Sequence, residues 1–286
     1  MDRIYGFVVL NYNNAKDTLE CVESICAIQG GNYEVVVVDN CSTDGSQKTL
    51  IENLPRSVIM IESSQNGGYS YGNNIGIRYF LERNIKNIFI ATNDTIIKSD
   101  DMLVHVEKMC IKHVGIVGPD IITPQGAHQN PSLKNINFLY IFNLYIPRLM
   151  GAIRAFIYLL NPRLSKFRNS SKQIERLNAK KELEVYMVHG SFFLITENYI
   201  DRVGGLDESL FMYHEEDLIA FNCLSSGLKI LYSPAVTVLH KCGASTTKVW
   251  GSDSKATRKR MLLASSKQIR KKIKFTELVR EYIKQL

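Results

Sequence analysis

The chain has 286 residues, 45% of them hydrophobic, and a net charge of +7 from 35 Lys and Arg against 28 Asp and Glu. These values suit a soluble globular protein of one large domain or two close lobes, with ample length for a core. Six cysteines, at 21, 26, 41, 110, 223 and 242, lack a C-x-x-C pair or a matched histidine spacing. That argues against a zinc module or a disulfide framework and for reduced thiols in a cytoplasmic protein.

Ile4–Leu10 is an apolar run of strand length, too short for a signal-peptide core with its flanks, and it ends in Asn11-Tyr12-Asn13-Asn14. Ala15–Ile28 has helical spacing, with Leu19, Val22, Ile25 and Cys26 on one face. Glu34–Val38 is a second strand, closed by Asp39-Asn40-Cys41-Ser42, and Ser46–Leu54 is a short helix stopped by Pro55. Val58–Ile61 is a third strand. It leads into Asn66-Gly67-Gly68, and a helix follows to about Arg83. Asn87–Ala91 is a fourth strand that stops in Thr92-Asn93-Asp94-Thr95. Strands alternate with helices and each strand ends in polar residues, so a mostly parallel sheet covered on both faces is expected. Its carboxyl edge is where such sheets bind ligands.

A helix is expected over Asp100–Ile111 and a strand over Gly115–Val117. Residues 123–184 then carry no clear alternation, and Phe138–Leu160 within them is rich in Phe, Tyr, Leu and Ile. That stretch is broken by Asn143, Pro147, Arg148 and Arg154, so it is a poor membrane span. It suits either an interfacial surface on an anionic bilayer or a buried helical pair. Order returns with one long strand, Val185–Ile195, and a helix over Asn198–Val203. A further helix beginning near Asp217, strands over Lys229–Tyr232 and Ala235–Leu239, and one or two basic helices complete the chain. Residues 255–286 hold eleven Lys and Arg against two Glu, so the chain's basicity lies in this tail and points to a surface partner.

Several residues invite chemistry on their own account. Asp94 ends a strand where a carboxylate could hold a hard divalent cation on a nucleoside diphosphate. Asp39, also at a strand end, could accept a hydrogen bond from a nucleobase imide or serve a helix cap with Asp44 or Ser42. Gly67-Gly68 and Asn73-Asn74 stand at a helix start, suited to close backbone approach and to anions, or to a plain turn and cap. Glu215-Glu216-Asp217 favour a helix N-terminus. Their mutual repulsion also suits a general base. Phe192, Phe193, Phe211 and Tyr213 could line an acceptor site, and core is the better expectation for them.

Seven blocks in order, VVLNYNN, VVVVDNCSTDGS, NGGYSYGNNIGI, ATNDT, HGSFFLI, GGLDESLFMYHEEDL and LHKCGAS, resemble a family 2 glycosyltransferase of GT-A fold. The likeness is to the bacterial rhamnosyltransferase-like branch that builds surface polysaccharides, and it covers roughly residues 4–122 and 185–247. The resemblance implies an α/β fold: a Rossmann-like nucleotide-binding half with a mixed, mostly parallel sheet, an acceptor-binding half, and basic C-terminal helices. The implied organisation is a nucleotide-sugar-binding half over 1–98, an acceptor-binding and catalytic half over 99–250 carrying the 123–184 insertion, and a helical tail over 251–286.

It further implies inverting, metal-assisted transfer of a sugar from a UDP- or dTDP-sugar to a hydroxyl of a saccharide or lipid-linked saccharide. Asn11, Tyr12, Asn13, Asp39, Asn66, Gly67, Gly68, Asn73 and Asn93 would bind the nucleotide sugar. Asp94 and His240 would hold Mg2+ or Mn2+, although Thr92-Asn93-Asp94 keeps one carboxylate where the family pattern is Asp-x-Asp or Asn-Asn-Asp. Asp217 would deprotonate the acceptor, with Glu216 supporting. The tail would hold a cytoplasmic enzyme on the anionic inner face of the membrane. Nucleic acid is not an expected partner, because aromatic stacking residues are sparse beside the charge. The oligomeric state stays open. Two rivals remain: a nucleotidyltransferase, which would carry a Gly-rich, Arg-containing loop after the first strand, and a non-catalytic membrane-surface or polyanion-binding module.

Overall fold

A computed structural model describes residues 3–145, 181–242 and 254–285. The first half alternates β1 (Ile4–Asn11), α1 (Ala15–Cys26), β2 (Asn32–Asp39), α2 (Ser46–Asn53), β3 (Val58–Glu62), α3 (Tyr69–Leu81) and β4 (Asn87–Thr92). The second half holds β5 (Thr95–Ile97), α4 (Met102–Glu107), β6 (Val114–Ile122), α5 (Phe138–Tyr145), β7 (Leu183–Val185) and β8 (Phe192–Ile195). It continues through α6 (Glu197–Val203), α7 (Glu215–Ser225), β9 (Lys229–His240), α8 (Ser254–Lys272) and α9 (Phe275–Gln285).

The strands make one sheet in the order β3-β2-β1-β4-β8-β6-β9-β5. From β3 to β4 all pairs are parallel, while β8 runs antiparallel to β4 and to β6. The sheet is mixed, as expected, and its parallel part is the near-continuous apolar one: Val35 to Val38 are all buried. Strands buried on both faces read as unbroken hydrophobic runs because neither pleat faces water. Two apolar layers result. Val8, Val36, Ile88 and Ile90 belong to one face, and Phe7, Val9, Val37 and Phe89 to the other. The sheet crosses residue 98, since β5 pairs with the end of β9, so both halves share it.

Two expectations are corrected, and one strand is new. Val185–Ile195 is not one strand. β7 pairs with β9 and β8 with β4 and β6, and residues 186–191 cross between them. The two strands expected over 229–239 are one, β9, which stays paired to β6 across a register shift at Pro119/Asp120. Proline at 234 cannot donate to a ladder, and the bulge absorbs it. The three-residue β5 was not expected at all.

The tail is part of the core rather than a free basic appendage. Ile269, Ile273 and Leu278 are buried in the same apolar cluster as Val8 and Ile90. Burial of three such side chains contributes about 1.5–3 kcal/mol each. The described part of the apolar stretch is buried too: Ile141 and Leu144 of α5 are 2% and 6% exposed, and Tyr145 stacks edge-on against Phe275 of α9. The remainder of that stretch and the Arg163-to-Lys181 run, apart from Lys181, lie outside the described residues. No described helix is long and apolar enough to cross a membrane.

Candidate active site

β1, β2 and β4 end side by side, with Asn11 in register with Asp39 and Leu10 with Thr92. A cavity of about 530 Å³ opens above this edge. Its walls come from five places: the strand ends, the 66–69 start of α3, the 189–191 turn, the 211–217 segment that opens α7, and the first turns of α8. Of the residues singled out from sequence, Tyr12, Asn66, Gly68, Asn93, Asp94, Glu216, Asp217 and His240 line it. Asn11, Asn13, Asp39, Gly67 and Asn73 do not.

Asp94 sits in a two-residue turn between β4 and β5, 5% exposed. Its Oδ1 accepts from the Thr92 hydroxyl at 2.8 Å, and its Oδ2 lies 3.3 Å from His240 Nε2. His240 is delivered by pairing of Thr95 with His240 at the end of β9. Burial pushes the Asp94 carboxyl up, but the bonds from His240 and Thr92 outweigh it and leave the pKa below its ordinary value. The other ring nitrogen of His240 meets Gln129 Oε1 at 2.7 Å, which orients the imidazole. The His189 ring lies beside it, tilted by 55° with centroids 5.3 Å apart. Burial, with His240 nearby, pushes His189 down to about 4, so its ring is neutral at physiological pH. Lys241 turns away to Asp17 and Glu20 on α1.

Asp39 is fully buried and its carboxylate already receives four hydrogen bonds: from Asn11 Nδ2 and Ser42 Oγ on one oxygen, and from Ser42 N and Gln47 Nε2 on the other. It organises the ends of β1 and β2. Asp44 accepts a hydrogen bond from the Ser46 amide at the start of α2. Asn13 ties to Thr43 and Ser42, and Asn93 reaches Asn14 and Thr18. Asn74 closes a pair of bonds with the Leu206 backbone, fixing the segment before α7 onto α3.

Gly68 is where α3 meets that segment. Its φ is +88°, and a Cβ there would lie 2.0 Å from the Phe211 carbonyl oxygen, so only glycine fits. The Tyr69 amide donates to that same carbonyl at 3.0 Å.

The three acids at the start of α7 divide. Glu215 is buried with Oε1 unpartnered, and burial and the Glu216 charge push it up to about 8. Glu216 accepts the Gly190 amide at 3.1 Å through Oε1, and no other hydrogen bond to its carboxylate is found among the described side chains. Burial raises its pKa, and the Asp217 charge adds to that. Asp217 has both oxygens engaged. The Tyr140 hydroxyl donates to Oδ1 at 2.6 Å, and His214 Nδ1 lies 2.9 Å from Oδ2. His214 Nε2 continues to Ser266 Oγ on α8 at 2.9 Å. Tyr213 and His214 both hold positive φ, 73° and 72°, which presents the acids to the cavity at a conformational cost.

Sequence reasoning missed Tyr140, His189, His214 and Arg258. His189 stood in a quoted block and His214 beside the acids, so both were within reach. Tyr140 and Arg258 were hidden in segments read for apolarity and for charge. Phe192 and Phe193 are core, as favoured, whereas Phe211 and Tyr213 line the cavity.

The model of glycosyl transferase family 2 matches residues 7–204. The chain is similar to a low-salt glycan biosynthesis hexosyltransferase of Haloferax volcanii, 26% identical over 236 residues, 82% of this chain and 66% of that one. It is similar to an N-acetylglucosaminyl-diphospho-decaprenol L-rhamnosyltransferase of Mycobacterium tuberculosis, 27% identical over 86% of this chain and 78% of that one. A mannosyltransferase from Pyrobaculum calidifontis, solved with GDP-Man and Mn2+, superposes with a TM-score of 0.53 at 17% identity, over 93% of this chain and 64% of that one. The chain thus spans just under two thirds of the first of these relatives and of the solved structure. The structural likeness establishes the GT-A α/β fold.

Proposed function

The chain belongs to glycosyl transferase family 2, and on that premise we propose that it transfers a sugar from a UDP- or dTDP-linked donor to a hydroxyl of a saccharide or lipid-linked saccharide, with inversion, in surface polysaccharide synthesis. The observation that carries this reading is the cavity itself, which gathers the carboxylate at the end of β4 and the acids that open α7 into one lining. Membership of the family leaves the nucleotidyltransferase and the non-catalytic module without support.

Asp94 and His240 would hold a divalent cation. Among the described residues no cluster of three or more His, Cys, Asp or Glu side chains forms a metal cage. One carboxylate and one oriented imidazole fit an ion that takes its remaining ligands from the donor's phosphates and water, Mn2+ more readily than Mg2+. Such a cation, when bound, neutralises charge on the departing nucleoside diphosphate.

The chain's own residues do the rest. Tyr12, Asn66 and Gly68 flank the donor. Asn11, Asn13 and Asp39 fix that edge from beneath, and Asp39 can meet a nucleobase imide if the Gln47 amide gives way. Glu216 takes the proton from the acceptor hydroxyl, because its second oxygen has no hydrogen-bond partner among the described side chains and its raised pKa makes it a better base than an ordinary carboxylate. Asp217, with both oxygens engaged, positions the loop and supports it. This exchanges the roles expected from sequence.

A peripheral hold on an anionic membrane is also supported. Leu263 and Ile283 are exposed among the cations of α8 and α9. The test of the main reading is a melting-temperature series with UDP, dTDP and GDP, each with and without Mn2+. A shift with UDP or dTDP that grows with Mn2+ supports it, and a protein indifferent to all three overturns it.

A further inference from the structure

The 189–191 turn lines the cavity, and each of its three backbone amides already has a partner. The His189 amide donates to Asn130 Oδ1 at 2.7 Å, and Asn130 Nδ2 donates in turn to the Pro119 carbonyl at 2.8 Å. The Gly190 amide donates to Glu216 Oε1 at 3.1 Å, and the Gly190 carbonyl accepts from the Tyr69 hydroxyl at 2.5 Å. The Ser191 carbonyl accepts from the Thr92 amide at 2.8 Å. The Ser191 amide turns back to His189 Nδ1 at 3.1 Å, and the Ser191 hydroxyl lies 2.9 Å from the same nitrogen. Bonds to α3, β4 and α7 together hold this turn, and the His189 ring with it, in one pose.

The same bonds fix the tautomer of His189. A backbone amide can only donate, so Nδ1 is the acceptor and the ring proton lies on Nε2. Nε2 has no hydrogen-bond partner among the described residues, and the ring is not fully buried. Asp94 is engaged by His240 and Thr92 instead. His189 therefore brings a fixed, unspent N–H donor to the cavity wall. A few rigid polar groups of this kind orient a ligand in an otherwise apolar pocket.

The neighbours of His189 indicate which oxygen it would meet. Its ring centroid is 5.3 Å from that of His240, beside the pair that would hold the donor's diphosphate. The next residue, Gly190, gives its amide to Glu216, the proposed base. In an inverting transfer the leaving diphosphate and the base lie on opposite sides of the migrating carbon. A turn in touch with both therefore runs alongside the sugar that carries that carbon.

We infer that His189 Nε2–H donates to a hydroxyl oxygen of the transferred sugar, which makes His189 a specificity-determining residue for the donor's sugar. This rests on the glycosyl-transfer reading and adds the residue that reads the sugar rather than the nucleotide.

The test uses the full chain and calorimetric titration at fixed Mn2+. The probes are UDP or dTDP, the UDP- or dTDP-sugar that the protein turns over, and monodeoxy forms of that donor. His189→Asn keeps a short acceptor for the Ser191 amide and removes Nε2. It is expected to weaken nucleotide-sugar binding about threefold to tenfold, the size of one hydrogen bond, with nucleoside diphosphate binding unchanged. One monodeoxy donor should show the same loss with wild type and no further loss with the variant. His189→Gln, whose longer side chain carries an amide N–H toward the Nε2 position, should restore part of the affinity. A merely structural role predicts the reverse order, with Gln worse than Asn and the melting temperature falling in step. Equal losses for the nucleotide sugar and the nucleoside diphosphate would place His189 on the diphosphate and overturn the inference. Unchanged nucleotide-sugar binding in His189→Asn overturns it as well, as does a loss that no monodeoxy donor reproduces. Absence of turnover with any UDP- or dTDP-sugar, even to free sugar and nucleoside diphosphate, is the separate failure of the parent reading.

Discussion

Asp94 Oδ2 lies 3.3 Å from His240 Nε2, although 146 positions separate the two residues, because the antiparallel pairing of β5 with β9 ends there. If these two groups share a cation with the donor, each should matter more with the metal than without it. His240→Ala is expected to weaken Mn2+-dependent nucleoside diphosphate binding about 10- to 100-fold. Binding of the nucleotide without metal should change little. Calorimetric titration of the nucleotide at fixed Mn2+, and with chelator, separates the two contributions.

Gly68 gives a test of the donor edge. Its φ of +88° and the 2.0 Å approach of the Phe211 oxygen leave no room for a methyl group. Gly68→Ala should cost about 1–3 kcal/mol or more, seen as a lower denaturation midpoint. It should also loosen the Phe211 loop and weaken nucleotide binding. A variant of wild-type stability would show that the contact gives way.

The acids of α7 predict a pH dependence of stability. Glu215 is raised to about 8 in the fold, above the ordinary carboxyl value of 4.5. Between those values the unfolded chain has released the proton and the folded chain holds it, so rising pH favours unfolding. His189, lowered to about 4, acts in the opposite direction, but its unfolded ring loses its remaining charge above about 6.5, so that contribution fades as pH rises. The melting temperature should therefore fall from pH 6.5 to 8, and Glu215→Gln should flatten most of that fall. A decline of equal slope in the variant would place its cause elsewhere.

The tail has one face buried in the core and another exposed. Ile273 is 1% exposed, and Ile273→Ala should cost about 2–5 kcal/mol by opening a core cavity. Deleting 255–286 would expose that core, so truncation is not a clean test of membrane binding. Leu263 and Ile283 are 55% and 62% exposed. The double variant Leu263→Ser, Ile283→Ser should keep its melting temperature while floating less with vesicles rich in phosphatidylglycerol. Unchanged flotation would remove these residues from any membrane contact.

The parallel half of the fold was legible because β1, β2 and β4 are buried on both faces, which writes unbroken apolar runs between helical periods. The strand ends that carry Asp39 and Asp94 followed from the same rule. The turn at His189-Gly190-Ser191 was not legible, since apolar residues continue on both sides of it and periodicity does not register a change of partner strand. β5 is shorter than any pattern can report. Pro234 and its neighbours read as a break, yet a bulge carries β9 through. The tail misled through its charge: Ile269, Ile273 and Leu278 are spaced for one helical face, but the surrounding Lys and Arg dominate the count. Which acid keeps an open oxygen depends on Tyr140 and His214, and spacing alone says nothing of either.

In the proposed reaction Glu216 removes the acceptor's proton while Asp217 holds the loop. Transfer rates of Glu216→Gln and Asp217→Asn, with nucleotide affinity measured alongside, separate the two roles. Glu216→Gln should lower kcat by about 100-fold or more with nucleotide affinity intact, the usual scale for loss of a positioned base. Asp217→Asn, which keeps much of the Tyr140 and His214 contact, should lose less and should also lower the melting temperature. Near-normal turnover in Glu216→Gln, with turnover abolished in Asp217→Asn, would contradict the assignment.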